Sequence, residues 1–202
     1  MRRSSKLSGN RQRLEAVALL LIVLWIAGPG ASSGAARKSV AEDLNGKPVD
    51  PLASSGGHVV VLLFLRTDCP ISNRYAPAVE HLSEQYRGKV NFWLVYPDPA
   101  ESPAQIRTHL RDFRYSIPAL RDTRHELVKV AQATITPEAA VFNSSSALVY
   151  HGRIDNRYEE FGRSRPSPTT HELAEAILAT LNGKPVNPDH ANAVGCYISD
   201  LR

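Results

Sequence analysis

The part of the chain best suited to chemistry is residues 67–72, with the sequence TDCPIS, which directly follows an apolar run. Pro70 suits the first position of a helix, because the N–H that proline lacks would be unsatisfied there in any case. The Cys69 sulfur would then lie near free backbone N–H groups and the positive end of the helix dipole. Such sites lower the pKa of a cysteine from ~8.5 to roughly 3.5–7.5. Ser72 lies one turn further on and can donate a hydrogen bond to the sulfur. We therefore expect Cys69 to be a nucleophile supported by Ser72.

The other cysteine, Cys196, stands in the segment VGCYI near the C-terminus. If the protein is exported, as its basic and apolar N-terminus suggests, two cysteines are expected to pair. Sequence alone leaves two arrangements open. The pair forms either a permanent structural bridge or a redox couple that opens and closes.

A third feature is Thr136-Pro137, which precedes an apolar segment predicted to be a strand. A proline at such a place generally occupies a turn or the first position of the strand. Only a bond before proline adopts the cis form readily. The sequence does not decide between a cis bond and an ordinary trans turn.

The hydrophobic pattern predicts strands that alternate with helices. Residues 58–65 are continuously apolar, which is typical of a strand buried on both faces of a parallel sheet. Alternation with helices implies parallel pairing through right-handed crossovers, and a later hairpin adds an antiparallel pair. The sequence thus predicts an α/β fold with a mixed central sheet and helices on both faces. The predicted strands are 58–65, 90–96, 117–120, 139–142 and 148–150, and the predicted helices are 72–86, 103–113, 123–132 and 169–181.

Between and after these elements the pattern is weaker. Residues 152–168 are expected to form a long loop, and residues 184–202 a flexible tail that contains Cys196. Asp122 is expected to cap the third helix. Thr169 and Glu172 have the spacing of a capping box for the fourth.

Residues 1–36 have the features of a secretory signal peptide: a basic head, the apolar stretch 16–27 and an exit rich in small residues. The twelve apolar residues are fewer than the roughly 20 that a bilayer span needs,. An uncleaved N-terminal membrane anchor is the alternative. We expect three parts: residues 1–36 for targeting, residues 37–183 as one domain, and residues 184–202 as the tail. The protein would be exported, periplasmic or extracellular, and membrane-bound only if the first segment is uncleaved.

The charge distribution argues against nucleic-acid binding. Residues 1–35 contain five basic side chains and one acidic side chain, and their net charge of +4 equals that of the whole chain. The remainder is therefore neutral, whereas a nucleic-acid footprint needs clustered positive charge.

From about residue 43 to residue 181, the chain resembles a thioredoxin-fold protein of the redoxin branch, which includes the peroxiredoxin-like (AhpC/TSA) thiol peroxidases. The buried strand followed by Cys69-Pro70-Ile71-Ser72, and the later Thr136-Pro137 before a hairpin, carry this resemblance. It implies that Cys69 is the redox-active nucleophile. It also implies that a cis-proline loop of Thr136 and Pro137, opposite Cys69 and with Pro70 beside it, holds the substrate. The implied activity is that of an antioxidant or redox-homeostasis enzyme without a cofactor, acting on a peroxide or a protein disulfide and recycled by an external thiol.

Two departures from the pattern matter. Thioredoxins have Cys-x-x-Cys, whereas here Ser72 takes the place of the second cysteine, so a mixed disulfide on Cys69 would wait for another thiol. Peroxiredoxins place a threonine three residues before the reactive cysteine, where this chain has Arg66 and has its threonine at position 67. Some peroxiredoxins keep a resolving cysteine in a C-terminal tail, which is the role the resemblance suggests for Cys196.

A non-catalytic binding domain or a copper-delivery domain is the alternative, because thioredoxin folds serve both purposes. Soft thiolates select Cu(I), so Cys69, Cys196 and one histidine are a conceivable site. No two histidines have the spacing of a zinc helix motif, and we predict no resident metal.

Overall fold

The computed structural model describes residues 41–199 and residue 201. The predicted targeting segment therefore lies outside the described residues. The α-helices of the described residues are α1 (Pro70–Gln85), α2 (Pro103–Asp112), α3 (Glu126–Ala131) and α4 (Glu172–Leu181). The strands up to the middle of the chain are β1 (Ala41–Asp43), β2 (Pro48–Val49), β3 (Val59–Phe64), β4 (Val90–Tyr96) and β5 (Ala119–Arg121). The later strands are β6 (Ile135–Thr136), β7 (Glu138–Phe142), β8 (Leu148–Gly152), β9 (Tyr158–Glu160), β10 (Arg163–Ser164), β11 (His190–Ala191) and β12 (Cys196–Tyr197).

Eight of the described strands form one mixed sheet in the order β11-β8-β7-β3-β4-β5-β1-β2. Strands β3, β4 and β5 are parallel, as expected for strands joined by helices. Strand β7 lies antiparallel to β3 on its other side, and β8 is antiparallel to β7. The predicted mixed sheet is confirmed.

Helices cover both faces of this sheet, which β3 shows residue by residue. Val61 and Leu63 face a core that contains α1 and α4, whereas Leu62 and Phe64 face a second core that contains α3. Every residue of β3 is buried. This explains why its sequence is continuously apolar rather than alternating.

Three local predictions need correction. The expected loop 152–168 contains the antiparallel pair β9–β10. The capping box that we predicted at the start of α4 does not form. The helix begins at Glu172, and the Thr169 N–H donates to Asn156 Oδ1 over 2.7 Å. Helix α3 begins at Glu126, three residues later than predicted, although the Asp122 carboxylate does accept hydrogen bonds from two of its first N–H groups.

The C-terminal tail is built into the fold, in contrast to the flexible segment that we predicted. Strand β11 pairs in parallel with β8, and β12 pairs antiparallel with β6. Gly152 and Gly195 permit this docking. A Cβ atom on Gly152 would lie 2.0 Å from the Ala191 carbonyl oxygen, and one on Gly195 would lie 2.1 Å from the Thr136 carbonyl oxygen. Any side chain at either position would collide with backbone.

Candidate active site

Cys69 lies where β3 gives way to α1, as the sequence predicted. It is the residue that precedes the first turn of α1 and has an extended backbone, and Pro70 opens the helix. Its side chain is 0% exposed. The Asn73 N–H donates to the Cys69 carbonyl oxygen over 3.0 Å, which begins the hydrogen bonding of the helix. The sulfur thus sits at a helix N-terminus while hidden from solvent.

The structure brings Cys196 directly to Cys69. The two Sγ atoms are 3.0 Å apart, and both cysteines are free thiols. Cys196 is partly exposed, in contrast to Cys69. The couple is therefore formed between a helix start and a C-terminal strand rather than within one motif.

The bond between Thr136 and Pro137 is cis, which decides the alternative that the sequence left open. The Thr136 carbonyl oxygen lies 3.2 Å from Cys69 Sγ and accepts the thiol hydrogen bond. Cys196 is the direct register partner of Thr136, and the Thr136 hydroxyl donates to the Cys196 carbonyl oxygen over 3.3 Å. The two predicted elements of the site, the cysteine and the proline loop, are therefore in direct contact, and the second cysteine lies beside both.

Burial and hydrogen bonding act in opposite directions on the Cys69 thiol. Burial raises its pKa, but the Cys196 thiol, the Ser72 side chain and the N–H groups of Ser72 and Ile71, all close to the sulfur, outweigh burial, so the pKa lies below the ordinary value. Among the described residues, the buried Ser72 hydroxyl makes no hydrogen bond, so it is available to donate to the sulfur when the thiolate forms. Burial and the contact with Cys69 raise the pKa of Cys196 to about 11. The pair is thus polarised, with Cys69 as the better thiolate.

The acidic neighbour Asp68 is held away by an ion pair. Its carboxylate lies 3.0 Å from Arg66 Nη2, which is also 3.4 Å from Asp98. Most of the Asp68 side chain is exposed. Its charge helps to raise the pKa of Cys196.

Sequence reasoning missed two buried carboxylates that hold the site in place. Glu138 follows the cis-proline, and its Oε2 accepts the N–H groups of Thr134 and Ile135 over 2.9 and 3.1 Å. It thereby fixes the loop that contacts Cys69. Glu101 fixes the segment before Cys69 in a similar way, because its Oε1 accepts the Thr67 N–H over 2.6 Å. A glutamate beside the proline motif was the only sequence signal for the first. Nothing in the sequence indicated the second.

A buried histidine, His109, holds the first turn of α1 in place through hydrogen bonds. The Nε2 of His109 donates to Asn73 Oδ1 over 2.7 Å, because an amide oxygen can only accept, and His109 Nδ1 accepts from the Tyr96 hydroxyl over 2.8 Å. The Asn73 amide donates in turn to the Thr67 carbonyl oxygen over 3.1 Å. Burial lowers the pKa of His109, which agrees with a neutral ring in this network. The chain leading to Cys69 is therefore fixed by side chains from α1, α2 and β4.

No group of three or more histidine, cysteine, aspartate or glutamate side chains in the described part of the chain is placed to hold a metal ion. Over the same residues, none of the helices combines the length and apolar character needed to cross a membrane.

The chain matches no protein-family model and no curated protein. Solved structures resemble it closely in fold. A hypothetical protein from Sinorhizobium meliloti 1021 has a TM-score of 0.66 at 20% identity, over 80% of this chain and 91% of that one. An uncharacterized conserved protein from Geobacillus kaustophilus has a TM-score of 0.64 at 22% identity, over 80% and 89%.

A thiol:disulfide interchange protein of the thioredoxin family from Chlorobium tepidum TLS has a TM-score of 0.52 at 14% identity, over 71% of this chain and 95% of that one. Likeness at these identities is evidence for fold alone. The predicted thioredoxin-like fold is thus confirmed, and the redoxin, peroxiredoxin-like branch stays a prediction.

Proposed function

We propose that this protein is a thiol oxidoreductase whose working couple is Cys69 and Cys196, which pass between a dithiol and a disulfide. The observation that carries the proposal is the 3.0 Å separation of the two sulfurs beside the cis-proline loop. A disulfide has an S–S bond of about 2.05 Å, so closing it needs a movement of only about 1 Å. The shared fold with a thiol:disulfide interchange protein supports the same class of reaction.

Cys69 is the attacking residue in this proposal. Its pKa is lowered, and thiolates rather than thiols are the nucleophiles. Ser72 and the first N–H groups of α1 stabilise the thiolate. Pro70, which is exposed beside the sulfur, and the loop of Thr136 and Pro137 shape the side from which the substrate approaches.

With a peroxide ROOH, the Cys69 thiolate attacks the outer oxygen, the O–O bond breaks, and alkoxide leaves and takes a proton to give ROH. The Cys196 thiol then attacks the sulfenic acid on Cys69, which releases water and forms the disulfide. Two electrons have passed from the cysteine pair to the peroxide. Peroxide is one of the two substrate classes that the redoxin-like resemblance implies.

With a disulfide RSSR, the same thiolate forms a mixed disulfide and releases one thiolate RS⁻. Cys196 then resolves the mixed disulfide and releases the second thiol. Two equivalents of an external thiol reduce the Cys69–Cys196 disulfide in either case. We propose that this cycle runs outside the cytosol, in the periplasm or beyond the cell, because of the N-terminal sequence pattern. A nucleic-acid partner is not part of the proposal.

The test is to oxidise the fully reduced protein with one equivalent of hydrogen peroxide, or of a small disulfide, and to map both cysteines by mass spectrometry. We expect a Cys69–Cys196 disulfide in the native protein. Cys196→Ser should stop at a sulfenate or a mixed disulfide on Cys69. Cys69→Ser should lose thiol-dependent turnover.

Each cysteine serves as the control for the other, since the chain has only two. Two unmodified thiols after exposure to both oxidants would contradict the proposal. Stoichiometric binding of Cu(I) that needs both cysteines, without turnover, would establish the metal-delivery alternative instead.

A further inference from the structure

We propose that the C-terminal strand β12 decides the substrate class of this enzyme. Small oxidants and small thiols exchange electrons with the cysteine couple, whereas β12 excludes protein disulfides from Cys69. This inference rests on the proposed function and goes beyond it, because the couple alone would serve either kind of substrate. Its evidence is the position of the tail.

The tail occupies the strand edge beside the cis-proline. Strand β12 is hydrogen-bonded to β6, with Cys196 opposite Thr136 and Tyr197 opposite Ile135. The pairing continues beyond the strand, where the Ile198 N–H donates to the Thr134 carbonyl oxygen over 3.0 Å. An extended polypeptide binds a sheet edge through these same backbone groups. The backbone groups of β6 are therefore not free to bind a protein substrate.

The fit between the tail and the loop leaves no room for a second chain. Gly195 lies so close to Thr136 that a single Cβ atom would be 2.1 Å from its carbonyl oxygen. Ile198 is only 5% exposed and packs into the core on the α3 side of the sheet. Cys69 has no exposed surface, and the Cys196 sulfur on this tail lies 3.0 Å from the Cys69 sulfur, so the tail helps to cover Cys69 as well as occupying the edge.

The tail is also fixed upstream of β12. The Arg153 N–H donates to the Ala191 carbonyl oxygen over 2.9 Å, and the His151 N–H donates to the Asp189 carbonyl oxygen over 3.0 Å. The segment that contains Cys196 is thus held at both ends. A small oxidant needs only a local separation of Cys196 from Cys69. A protein disulfide needs the whole of β12 to leave.

The same geometry admits a small reductant to the oxidised enzyme. Cys196 is the partly exposed member of the couple, so an incoming thiolate RS⁻ attacks the Cys196 sulfur, and the Cys69–Cys196 bond breaks. Cys69 leaves as its thiolate, and the lower pKa of its thiol suits a leaving group. A second thiol then releases RSSR and restores the Cys196 thiol. The balance is two thiols oxidised for one enzyme disulfide reduced.

The experiment compares the rates at which the reduced protein is oxidised by a small disulfide and by a protein disulfide, with dithiobis(nitrobenzoate) and insulin as the two probes. The native protein should react with the small probe and be slow with insulin. Gly195→Val cannot seat β12 against Thr136. It should raise the ratio of the insulin rate to the small-probe rate by at least about tenfold, the change expected from roughly 1.4 kcal/mol of lost docking.

Ser199→Val is the matched control, because it adds a branched side chain to the same tail at an exposed position. It should leave the ratio unchanged. Ile198→Ala is the second variant, in case Gly195→Val does not fold, and it should move the ratio in the same direction. An unchanged ratio in the folded variants, or native oxidation by insulin as fast as by the small probe, overturns the inference. If no oxidant forms the disulfide in any variant, the proposed function itself has failed.

Discussion

Replacing Ile198 by alanine tests how firmly the C-terminal strand β12 covers Cys69. Ile198 is buried in the core on the α3 side, where its neighbours include Leu52 and Phe64. Truncation of a buried isoleucine to alanine typically costs ~2–5 kcal/mol. The lower end applies here, since a segment with a strand of only two residues relaxes easily around the missing atoms. A loss of ~2 kcal/mol of docking free energy raises the population with β12 lifted about 30-fold.

The assay uses a maleimide with a bulky fluorophore, which can reach Cys69 only when the whole strand has lifted. A Cys196→Ser background leaves Cys69 as the single thiol. When β12 lifts rarely and returns quickly, the observed labelling rate equals the fraction of molecules with β12 lifted, multiplied by the rate at which Cys69 is labelled in that state. The open state is the same with and without Ile198. Labelling should therefore be about 30-fold faster in Ile198→Ala, in proportion to the open population.

Tyr197→Ala is the control, because Tyr197 directly precedes Ile198 in the tail and is 78% exposed. Its labelling rate should stay close to that of the background protein. Circular dichroism of each variant checks that the domain remains folded. If Ile198→Ala labels within about twofold of the background, a difference of less than about 0.5 kcal/mol, Ile198 does not hold the strand and the reasoning is refuted.

Two further predictions concern side chains that support the site. Ser72→Ala removes the buried hydroxyl that stabilises the Cys69 thiolate, so the pKa of Cys69 should rise and the midpoint of its pH–alkylation profile should move to higher pH. Ser83→Ala on the same helix should leave the midpoint in place, and equal midpoints for all three proteins would rule out this role for Ser72. Glu138→Gln weakens the charge-assisted bonds to the loop before Pro137 and should lower the free energy of unfolding by roughly 1.5–3 kcal/mol in urea titrations. The exposed Glu160→Gln is its control, and an unchanged unfolding midpoint in Glu138→Gln would show that the carboxylate does not hold the loop.

The strands and helices around Cys69 could be predicted because local pattern and tertiary position agree there. The apolar run that becomes β3 is buried on both faces, and Cys69-Pro70 marks the start of α1 as the proline rule requires. Prediction of local structure failed where contacts between residues distant in the sequence determine it. The start of α4 moved because Asn156, distant in sequence, binds the Thr169 N–H. The pair β9–β10 lies in a segment whose polar composition resembles a loop.

The tail was mispredicted for a different reason. Strands of two residues, such as β11 and β12, are too short to show any period in the sequence. Their order comes from partners far away in the chain, namely β8 and β6. The remaining signals were Gly195 directly before Cys196 and an isoleucine two residues after it. Without the position of Thr136, neither residue indicates that a strand lies against the proline loop.

Bringing the second sulfur from the C-terminus has a consequence that a Cys-x-x-Cys motif lacks. In such a motif both sulfurs belong to one helix start, so access to the first does not depend on the second. Here Ser72 occupies the helix position, and Cys196 arrives on a strand that also covers Cys69. Forming the disulfide would therefore hold β12 in place over Cys69, and reducing the disulfide would allow β12 to move away. In the proposed cycle, redox state and access to Cys69 are therefore linked through a single segment, and changing Ile198 or Gly195 should alter access while leaving both cysteines intact.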